Sequence, residues 1–463
     1  MLLAMVISLN TKGDDAYFAF FLSFIISLAV GVFPLIFTPK DSYINIKEVY
    51  AVVVVSWALV CLFGTLPYLM WGGELTLVNA WFESASGYTT TGATILQSPE
   101  SLPNSILFFR SCTHWMGGVG VVLFALLIAP AMKMNKTRLS QIEISPLAKE
   151  NFIYKTQETI IVILSVYLVS TALCFFLLKI AGMSWFDSIN HAFSTVATGG
   201  FSTKNTSIAG YNNTWIYIIT IMFMFISSIH FGLLYSTITG KSNNLFRSPV
   251  MRYYFVSVLV GIVLVSFNLW FSGVFGKIEE SFLHGAFQVV SYTTTTGFAS
   301  MDSFLLPPFA MIVIVFFTLQ SGTAGSTSGG IKVDRIYIFF QALKAQIKKQ
   351  QHPRAIIPVK VGKNTVDNEI ISSVLLFIIL FLFILFAATA ILTAMGVDLA
   401  SAFSACLASI TNSGAGAGFG NFSSLGNYDS LHSFGKLLMT LLMITGRLEI
   451  YGLILLFFIK SWK

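Results

Sequence analysis

The sequence predicts an all-α integral membrane protein in which four tandem repeats surround one pore. Three observations lead to this fold class. Only 10% of the 463 residues are charged and 55% are hydrophobic, whereas a soluble protein has about 25% charged residues. Apolar runs of spanning length recur along the chain. A shorter segment that ends in Thr, Ser and Gly occurs four times between them, which is the pattern of an internal repeat.

A helix needs about 20 mostly apolar residues to cross a bilayer. Runs of this kind lie near 17–37, 49–71, 105–131, 159–181, 214–239, 253–275, 306–319, 370–394 and 434–459. A shorter run, 331–343, follows a stretch rich in Gly and Ser. The apolar stretch 1–9 is too short to span, so we expect 1–47 to form only a partial N-terminal membrane segment.

The four shorter segments align on one glycine each. The aligned positions are Gly92, Gly200, Gly297 and Gly414, preceded two residues earlier by Thr90, Thr198, Thr295 and Asn412, and one residue earlier by Thr91, Gly199, Thr296 and Ser413. Thirteen residues upstream stand Asn79, Asp187, His284 and Ser401, three of which are favoured helix N-caps. We therefore expect four short helices, and repeats at 48–145, 146–245, 246–365 and 366–463.

The basic residues predict the orientation, because Lys and Arg accumulate in cytoplasmic loops. If the short segments enter from outside, the cytoplasmic connections and ends carry most of the 27 Lys and Arg residues. The opposite side has few, including Lys204 and Lys277. The net charge of +7 then reflects membrane orientation. We expect a multi-pass protein in contact with the lipid bilayer that binds no nucleic acid.

A half-helix that stops inside a membrane exposes backbone, which is tolerated only within protein or along a water-filled cavity. Four such helices would direct their partly negative C-termini at one centre. A ring of backbone carbonyls there would hold a dehydrated cation such as K⁺. Glycine permits the backbone angles that turn the carbonyls inward. The residues 90–92, 198–200, 295–297 and 412–414 are therefore predicted to form a cation filter.

The chain resembles the TrkH-type membrane subunits of bacterial Trk potassium uptake systems, in the superfamily that includes KtrB and plant HKT transporters. The resemblance is carried by FESASGYTTTGAT at 82–94, FSTVATGGFST at 193–203, TTTTGFA at 293–299, NSGAG at 412–416, HWMGG at 114–118, AGSTSGGIKV at 324–333, HPRA at 352–355 and GRLEI at 446–450. It covers nearly the whole chain. The family usually has two helices before the first repeat, so the first would be shortened here.

The resemblance implies four M1–P–M2 repeats of potassium-channel type with a filter glycine in each P-loop. It implies a homodimer with one pore per subunit, in a bacterial cytoplasmic (inner) membrane. It also implies a cytosolic ring of TrkA-type subunits that binds nucleotide, so this chain needs no cofactor and K⁺ is the transported ion. The basic stretch 344–354 is a candidate docking surface for that ring, and a lipid-facing basic loop is an equal alternative.

The stretch 320–330, called the glycine-rich break below, interrupts the second long run of the third repeat. Gly and Ser at this density end a helix. The break carries no charge and has apolar sequence on both sides, so we expect a flexible loop inside the membrane under the filter. The resemblance implies that this loop is the gate, and we assign that role to the residues Gly322, Gly325, Ser326, Gly329 and Gly330.

Two intramembrane charges need partners or water. Arg447 lies within the last apolar run, and we expect it to face the pore and to oppose cations below the filter, as the matching arginine of the family suggests. Glu449 lies two residues away, on another helix face, and therefore needs a different partner. Glu83 and Arg110 are predicted to form a structural pair. The histidines show no metal-ligand spacing, so we expect no metal site apart from K⁺.

Two other classes of function are weighed. An alternating-access symporter coupled to Na⁺ or H⁺ also has broken helices and repeats, but its repeats are commonly inverted. The sequence leaves symport open. An intramembrane enzyme would need a nucleophile with a base, or metal ligands, within the spans, and none is recognisable. The glycines of 414–420 do not have the spacing of a dinucleotide-binding motif.

Overall fold

The computed structural model describes residues 1–37, 46–73, 75–131, 156–240, 245–362, 364–414, 416, 422–448 and 450, which are mostly helical. The helices in chain order are α1 (Leu2–Asn10), α2 (Tyr17–Val32), α3 (Ile46–Trp71), α4 (Leu77–Tyr88), α5 (Asn104–Ala131), α6 (Thr156–Ile180), α7 (Trp185–Val196), α8 (Thr214–Ser227), α9 (Phe231–Ile238), α10 (Pro249–Phe271), α11 (Ile278–Thr293), α12 (Pro308–Gln320), α13 (Val333–Gln351), α14 (Asn368–Ala394), α15 (Leu399–Thr411) and α16 (Ser433–Arg447). A two-stranded antiparallel hairpin, β1 (Lys360–Val361) and β2 (Asn364–Thr365), separates α13 from α14.

Short 3₁₀ turns cover Phe33–Ile36, Pro99–Ser101, Ser207–Tyr211 and Ser303–Leu305. Five helices in the described ranges are long and apolar enough to cross a membrane: Tyr17–Ile36, Ala51–Trp71, Ile160–Ile180, Pro249–Phe271 and Asn368–Ala394. On α14, Ile379, Phe383 and Phe386 are more than half exposed. Contiguous exposed apolar surface of this kind is costly in water and is expected against lipid tails. The helices therefore define the chain as an α-helical membrane protein.

The four short helices α4, α7, α11 and α15 lie inside the bundle. Each packs against the long helix before it, namely α3, α6, α10 and α14. The helix after the loop then contacts the next short helix: α5 packs on α7, α8 on α11, and α16 on α4. Most of their side chains are buried, in contrast to the long helices. This packing places the C-terminal ends of the short helices toward one another.

The predicted starts of the short helices are wrong by about one turn. The observed N-caps are Thr76, Ser184 and Asp398, whose side chains accept hydrogen bonds from the backbone N–H groups of Asn79, Asp187 and Ser401. The residues predicted as caps are thus the third residues of their helices, where a capping oxygen finds its donor. In the third helix, His284 lies well inside α11, which begins after Lys277 without a side-chain cap.

The sequence predicts one continuous span over 214–239, and the structure shows two helices instead. α8 and α9 meet at an angle of 102° around residues 228–230, called the α8–α9 bend below. His230 caps α9, since its Nδ1 accepts from the N–H groups of Gly232 and Leu233. A helix broken in this way leaves backbone groups without intrahelical partners. These groups find partners in the candidate site.

The N-terminal segment packs at the end of the bundle where α3 ends and α5 begins. Asp14 accepts hydrogen bonds from the N–H and hydroxyl of Ser105, and Asp15 accepts from Trp71 Nε1 at 2.8 Å. The pKa of Asp14 is lowered, because these and other hydrogen bonds outweigh the opposing effect of partial burial. The turn at 12–15 therefore lies at the end that the sequence predicts to be outside.

Candidate functional site

The four short helices end in the same backbone turn. Two residues before the aligned glycine, the chain takes the left-handed conformation at Thr90, Thr198, Thr295 and Asn412, with φ values of 52°, 53°, 56° and 56°. In every case the N–H of this residue donates to the carbonyl three residues earlier, and the N–H of the next residue donates to the carbonyl five residues earlier, at distances of 2.8–3.2 Å. These two bonds form the Schellman arrangement, which normally uses glycine.

Threonine in the left-handed conformation is uncommon, because its β-branched side chain crowds the backbone. Three of the four loops nevertheless hold a threonine there, and the threonines are at most 1% exposed. Such strain of about 1–3 kcal/mol per residue persists only where the surrounding structure fixes it, and it concentrates at functional sites. The repetition of the same strain in three loops indicates a functional constraint on the turn.

The aligned glycines are also left-handed, with φ values of 81°, 87°, 78° and 63°. They pack against backbone of the neighbouring loop. A Cβ atom on Gly92 would lie 1.9 Å from the carbonyl oxygen of Gly199, one on Gly200 would lie 2.1 Å from that of Thr296, and one on Gly414 would lie 2.1 Å from that of Thr91. Glycine is therefore required at these positions both for its backbone conformation and because a side chain would not fit. The contacts join the first loop to the second, the second to the third, and the fourth to the first.

Loops three and four are joined by a side chain. Tyr292, at the end of α11, donates its hydroxyl to the carbonyl of Gly416 at 2.7 Å. Tyr428 donates to the carbonyl of Gly414 at 3.2 Å. Asn412 adds a bond across the opposite junction, from Nδ2 to Thr91 Oγ1 at 2.9 Å. The structure therefore brings all of the predicted filter residues into one ring, in the order of the chain.

Hydroxyl pairs reinforce three of the loops. The residue three before the glycine and the residue one before it share a hydrogen bond, and the pairs are Thr89 with Thr91 at 2.7 Å, Thr294 with Thr296 at 2.8 Å, and Thr411 with Ser413 at 3.0 Å. The aligned residues include no charged side chain. The electrostatics of the ring therefore come from backbone carbonyls and from four helix C-termini, which favour a cation.

The glycine-rich break lies directly against these helix ends. Gly329 donates its N–H to Thr295 Oγ1 at 2.8 Å, and a Cβ on it would lie 2.2 Å from the Thr411 carbonyl. Thr327 donates its hydroxyl toward the carbonyl of Val196, the last residue of α7, at 3.2 Å. The break thus touches the ends of the second, third and fourth short helices.

Arg447 links the glycine-rich break to α5. Its Nη1 donates to the carbonyl of Thr327 at 2.7 Å, and its Nη2 donates to the carbonyl of Gly117 on α5 at 3.1 Å. The residue is only 5% exposed. Gly446 allows α16 to pass close to the fourth loop, because a Cβ there would lie 2.1 Å from the Ile410 carbonyl. The structure brings Arg447 and the break together, while Glu449 lies outside the described residues.

The α8–α9 bend is a part of the site that the sequence did not reveal. The Ser228 carbonyl accepts from the N–H of Thr323 at 3.0 Å and from its hydroxyl at 3.1 Å. The N–H of Phe231 donates to the Gly325 carbonyl at 3.3 Å. Thr327 Oγ1 also reaches the Ser227 carbonyl at 3.2 Å. Backbone groups released by the bend are therefore satisfied by the break, and the polar residues at 227–230 were the available signal.

Two charged residues just after the break, Lys332 and Asp334, also hold the break in place, and the sequence pattern did not identify them. The Asp334 carboxylate accepts from the N–H of Ala324 at 2.6 Å, and Lys332 Nζ donates to the Ser328 carbonyl. Both residues are less than 10% exposed. The N–H of Val333 donates to the Gly322 carbonyl at 2.9 Å. The break therefore folds back on the start of α13, which leads toward the basic stretch 344–354.

The predicted pairing of Glu83 with Arg110 is confirmed. Their closest atoms, Glu83 Oε1 and Arg110 Nη2, are 2.7 Å apart, and both side chains are almost fully buried. Glu83 also accepts from the N–H of Ile95 and from the hydroxyl of Thr94, just after the first loop. Arg110 lies 4.0 Å from the centre of the Phe201 ring, just after the second loop. The pair therefore contacts the residues that directly follow the first and second aligned loops.

These elements define a helical membrane protein whose short buried helices meet in an uncharged ring above a glycine-rich loop. A family model for cation transport proteins, TrkH, matches residues 16–462. The chain is 32% identical over 456 residues to "Trk system potassium uptake protein TrkH" of Escherichia coli (strain K12), which covers 97% of this chain and 93% of that protein. It is 32% identical over 470 residues to "Trk system potassium uptake protein TrkG" of the same strain, covering 100% and 95%.

The crystal structure of the potassium transporter TrkH from Vibrio parahaemolyticus superposes with a TM-score of 0.86 at 28% sequence identity. The match covers 98% of this chain and 96% of that one. The chain belongs to the TrkH family of cation transport proteins. It is therefore a membrane transporter and not an enzyme, and transporters of this family need no cofactor.

Proposed function

We propose that this chain takes up K⁺ across the bacterial cytoplasmic membrane through a filter made by the four aligned loops. The observation that carries the proposal is the ring itself. Four loops share one backbone turn, and at three junctions a carbonyl of one loop faces the glycine of its neighbour. Such a ring replaces the hydration shell of an ion with backbone oxygens. The printed names of the relatives support K⁺ as the ion.

The proposed architecture is four M1–P–M2 repeats at 48–145, 146–245, 246–365 and 366–463. Three short helices are each preceded by a capping side chain and all four end at the ring, so their dipoles add at its centre. A channel-like pore is favoured over an alternating-access symporter by the fourfold likeness of the loops.

The proposed gate is the glycine-rich break together with Arg447. The break touches the ends of three short helices, and Arg447 links it to the Gly117 carbonyl of α5. Main-chain and hydroxyl hydrogen bonds hold the break across the pathway. A guanidinium group at this level also raises the energy of a passing cation, because the repulsion between two positive charges is weakly screened away from bulk water. Opening then requires the break to leave its bonds to the short helices.

The proposed assembly is a homodimer regulated by a cytosolic, nucleotide-binding ring of TrkA type. α13 carries Lys344, Lys348 and Lys349 on the exposed stretch after the break, and Arg354 follows it. Because the break folds back on the first residues of α13, a partner that moves α13 would also pull on the break. The connection at 132–155 lies outside the described residues.

The test is Rb⁺ uptake into liposomes that contain the purified protein, with K⁺, Na⁺ or Li⁺ as competitor. Wild type is compared with Gly297→Ser and with a deletion inside 322–330. Competition by K⁺ but not Na⁺, weakened selectivity in Gly297→Ser and faster uptake in the deletion variant would support the filter and the gate. Equal competition by Na⁺, unchanged by Gly297→Ser, would refute the filter.

A further inference from the structure

The second loop lacks the hydroxyl pair that reinforces the other three. At the two equivalent positions it carries Ala197 and Gly199, neither of which has a side-chain hydroxyl. Gly199 is not in the left-handed region, so its backbone conformation does not call for glycine. Its carbonyl nevertheless faces Gly92, as the carbonyls of Thr296 and Thr91 face Gly200 and Gly414. Something else must therefore hold this carbonyl in place.

The imidazole of His114, from α5, occupies the space beside Gly199. A Cβ atom on Gly199 would lie 2.3 Å from Nδ1, 2.4 Å from Cγ and 2.7 Å from Cε1 of the ring. The ring is fully buried, and its Nδ1 shares a 3.2 Å hydrogen bond with Ser194 Oγ. It also stacks on Phe201, with ring centres 4.0 Å apart and an angle of 16° between the planes.

These contacts hold both ends of the second loop. Ser194 accepts the N–H of Gly199 at its carbonyl, at 2.8 Å, while its hydroxyl meets the imidazole. Phe201 follows Gly200 directly, so the stacked rings fix the chain on the far side. Gly199 thus lies against a flat, rigid ring that leaves no room for a side chain. The absence of a side chain at 199 is explained by the ring and not by the backbone.

We propose that His114 is a positioning residue of the second filter loop and sets its discrimination between K⁺ and Na⁺. The imidazole does for Gly199 what the hydroxyl pairs do for Thr91, Thr296 and Ser413. This inference rests on the proposed filter. A filter selects between ions of different size through the placement and number of its carbonyls. Loss of the ring lets one carbonyl relax toward a smaller ion, and selectivity falls more than total flux.

The test is a double-mutant cycle on His114 and Gly199, with Rb⁺ uptake competed by K⁺ or Na⁺ as the readout. We expect His114→Ala to lower the ratio of K⁺ to Na⁺ competition by about fivefold to tenfold, the effect of losing one buried hydrogen bond and its packing. Gly199→Ser alone should lower the ratio as well, because the new side chain meets the ring. The double variant His114→Ala/Gly199→Ser should recover selectivity relative to both single variants, since each change makes room for the other.

His284→Ala is the matched control. This imidazole also bonds a serine hydroxyl, Ser300 Oγ at 2.9 Å, and stacks on Phe275, and both partners lie outside the turn at 295–297. The ratio should stay at the wild-type value in this variant. His114→Asn, which keeps a polar atom near Nδ1, is the second variant if His114→Ala does not yield folded protein. It should show a smaller loss of selectivity.

The outcomes separate this inference from the filter itself. If Gly297→Ser changes the ratio but His114→Ala and His114→Asn leave it at the wild-type value, the role of His114 is refuted and the filter stands. If the effects of the two substitutions on the selectivity ratio simply add in the double variant, the proposed steric contact between the His114 imidazole and a side chain at position 199 is refuted. If Gly297→Ser also leaves the ratio unchanged, the proposed filter fails first.

Discussion

Arg447 and Thr327 are joined by a 2.7 Å hydrogen bond from the guanidinium Nη1 to the threonine carbonyl, although they lie 120 residues apart in sequence. The same guanidinium group reaches the Gly117 carbonyl, and the Thr327 hydroxyl reaches α7 and α8. Arg447 of α16 and Thr327 of the glycine-rich break thus connect α5, α7 and α8 beneath the ring.

Replacing Arg447 should speed ion flux. Arg447→Gln removes the positive charge beside the proposed pathway and weakens the bond to Thr327. We expect faster Rb⁺ uptake in liposomes without any partner protein, by roughly tenfold if the barrier falls by about 1–2 kcal/mol. Arg335→Gln is the control, because the half-buried Arg335 side chain stacks on the Phe377 ring. Slower uptake by well-folded Arg447→Gln protein would contradict the gating role.

Removing one hydroxyl from the break should loosen it. Thr327→Val deletes the contacts to the carbonyls of Val196 and Ser227. A buried hydrogen bond contributes about 1 kcal/mol, so the open population should rise roughly fivefold. Thr318→Val is the matched control, because the Thr318 hydroxyl donates to the Ile314 carbonyl within its own helix. Hydrogen exchange of residues 321–332 and Rb⁺ uptake should both increase in Thr327→Val. Equal behaviour of the two variants would show that the break is not held by these bonds.

A methyl group on a ring glycine should abolish selective uptake. In Gly92→Ala, the new Cβ would lie 1.9 Å from the Gly199 carbonyl, and φ is +81°. We expect K⁺ to lose its advantage over Na⁺ in competition with Rb⁺. Gly120→Ala in α5 has its nearest neighbour atom 3.7 Å away and should behave as wild type, because alanine is the better helix residue. Selectivity retained in Gly92→Ala would mean that the ring does not contact the ion.

Breaking the Glu83–Arg110 pair should destabilise the fold. Glu83→Gln leaves a buried guanidinium group without its partner, which costs about 3–5 kcal/mol in comparable pairs. Thermal unfolding in detergent should therefore occur at a clearly lower temperature. The exposed pair Lys277 and Glu280, 3.8 Å apart, is the comparison, and Glu280→Gln should change stability by less than about 1 kcal/mol. A small effect of Glu83→Gln would show that the pair is hydrated or replaceable.

Several local features were predictable because they depend on neighbouring residues. The spanning helices follow from apolar length, and the structure gives α3 as Ile46–Trp71 where the sequence predicts a run from 49 to 71. The sequence located the C-terminal ends of the short helices, but it placed the starts of three of them one turn late. The residues Thr76, Ser184 and Asp398 are ordinary caps, and their role is visible only once the helix direction is known.

The sequence by itself determined that the chain lies in a membrane and at which positions glycines end or interrupt its helices. Both properties reflect local demands, the thickness of the hydrocarbon layer and the backbone angles that glycine allows. Tertiary structure alone decided the α8–α9 bend, the ring contacts and the place of His114 behind Gly199. A bent helix is tolerated only where distant groups satisfy its freed backbone, and Ser228 finds them in Thr323, 95 residues away. Such partners leave no periodic mark in the sequence, because they are set by packing.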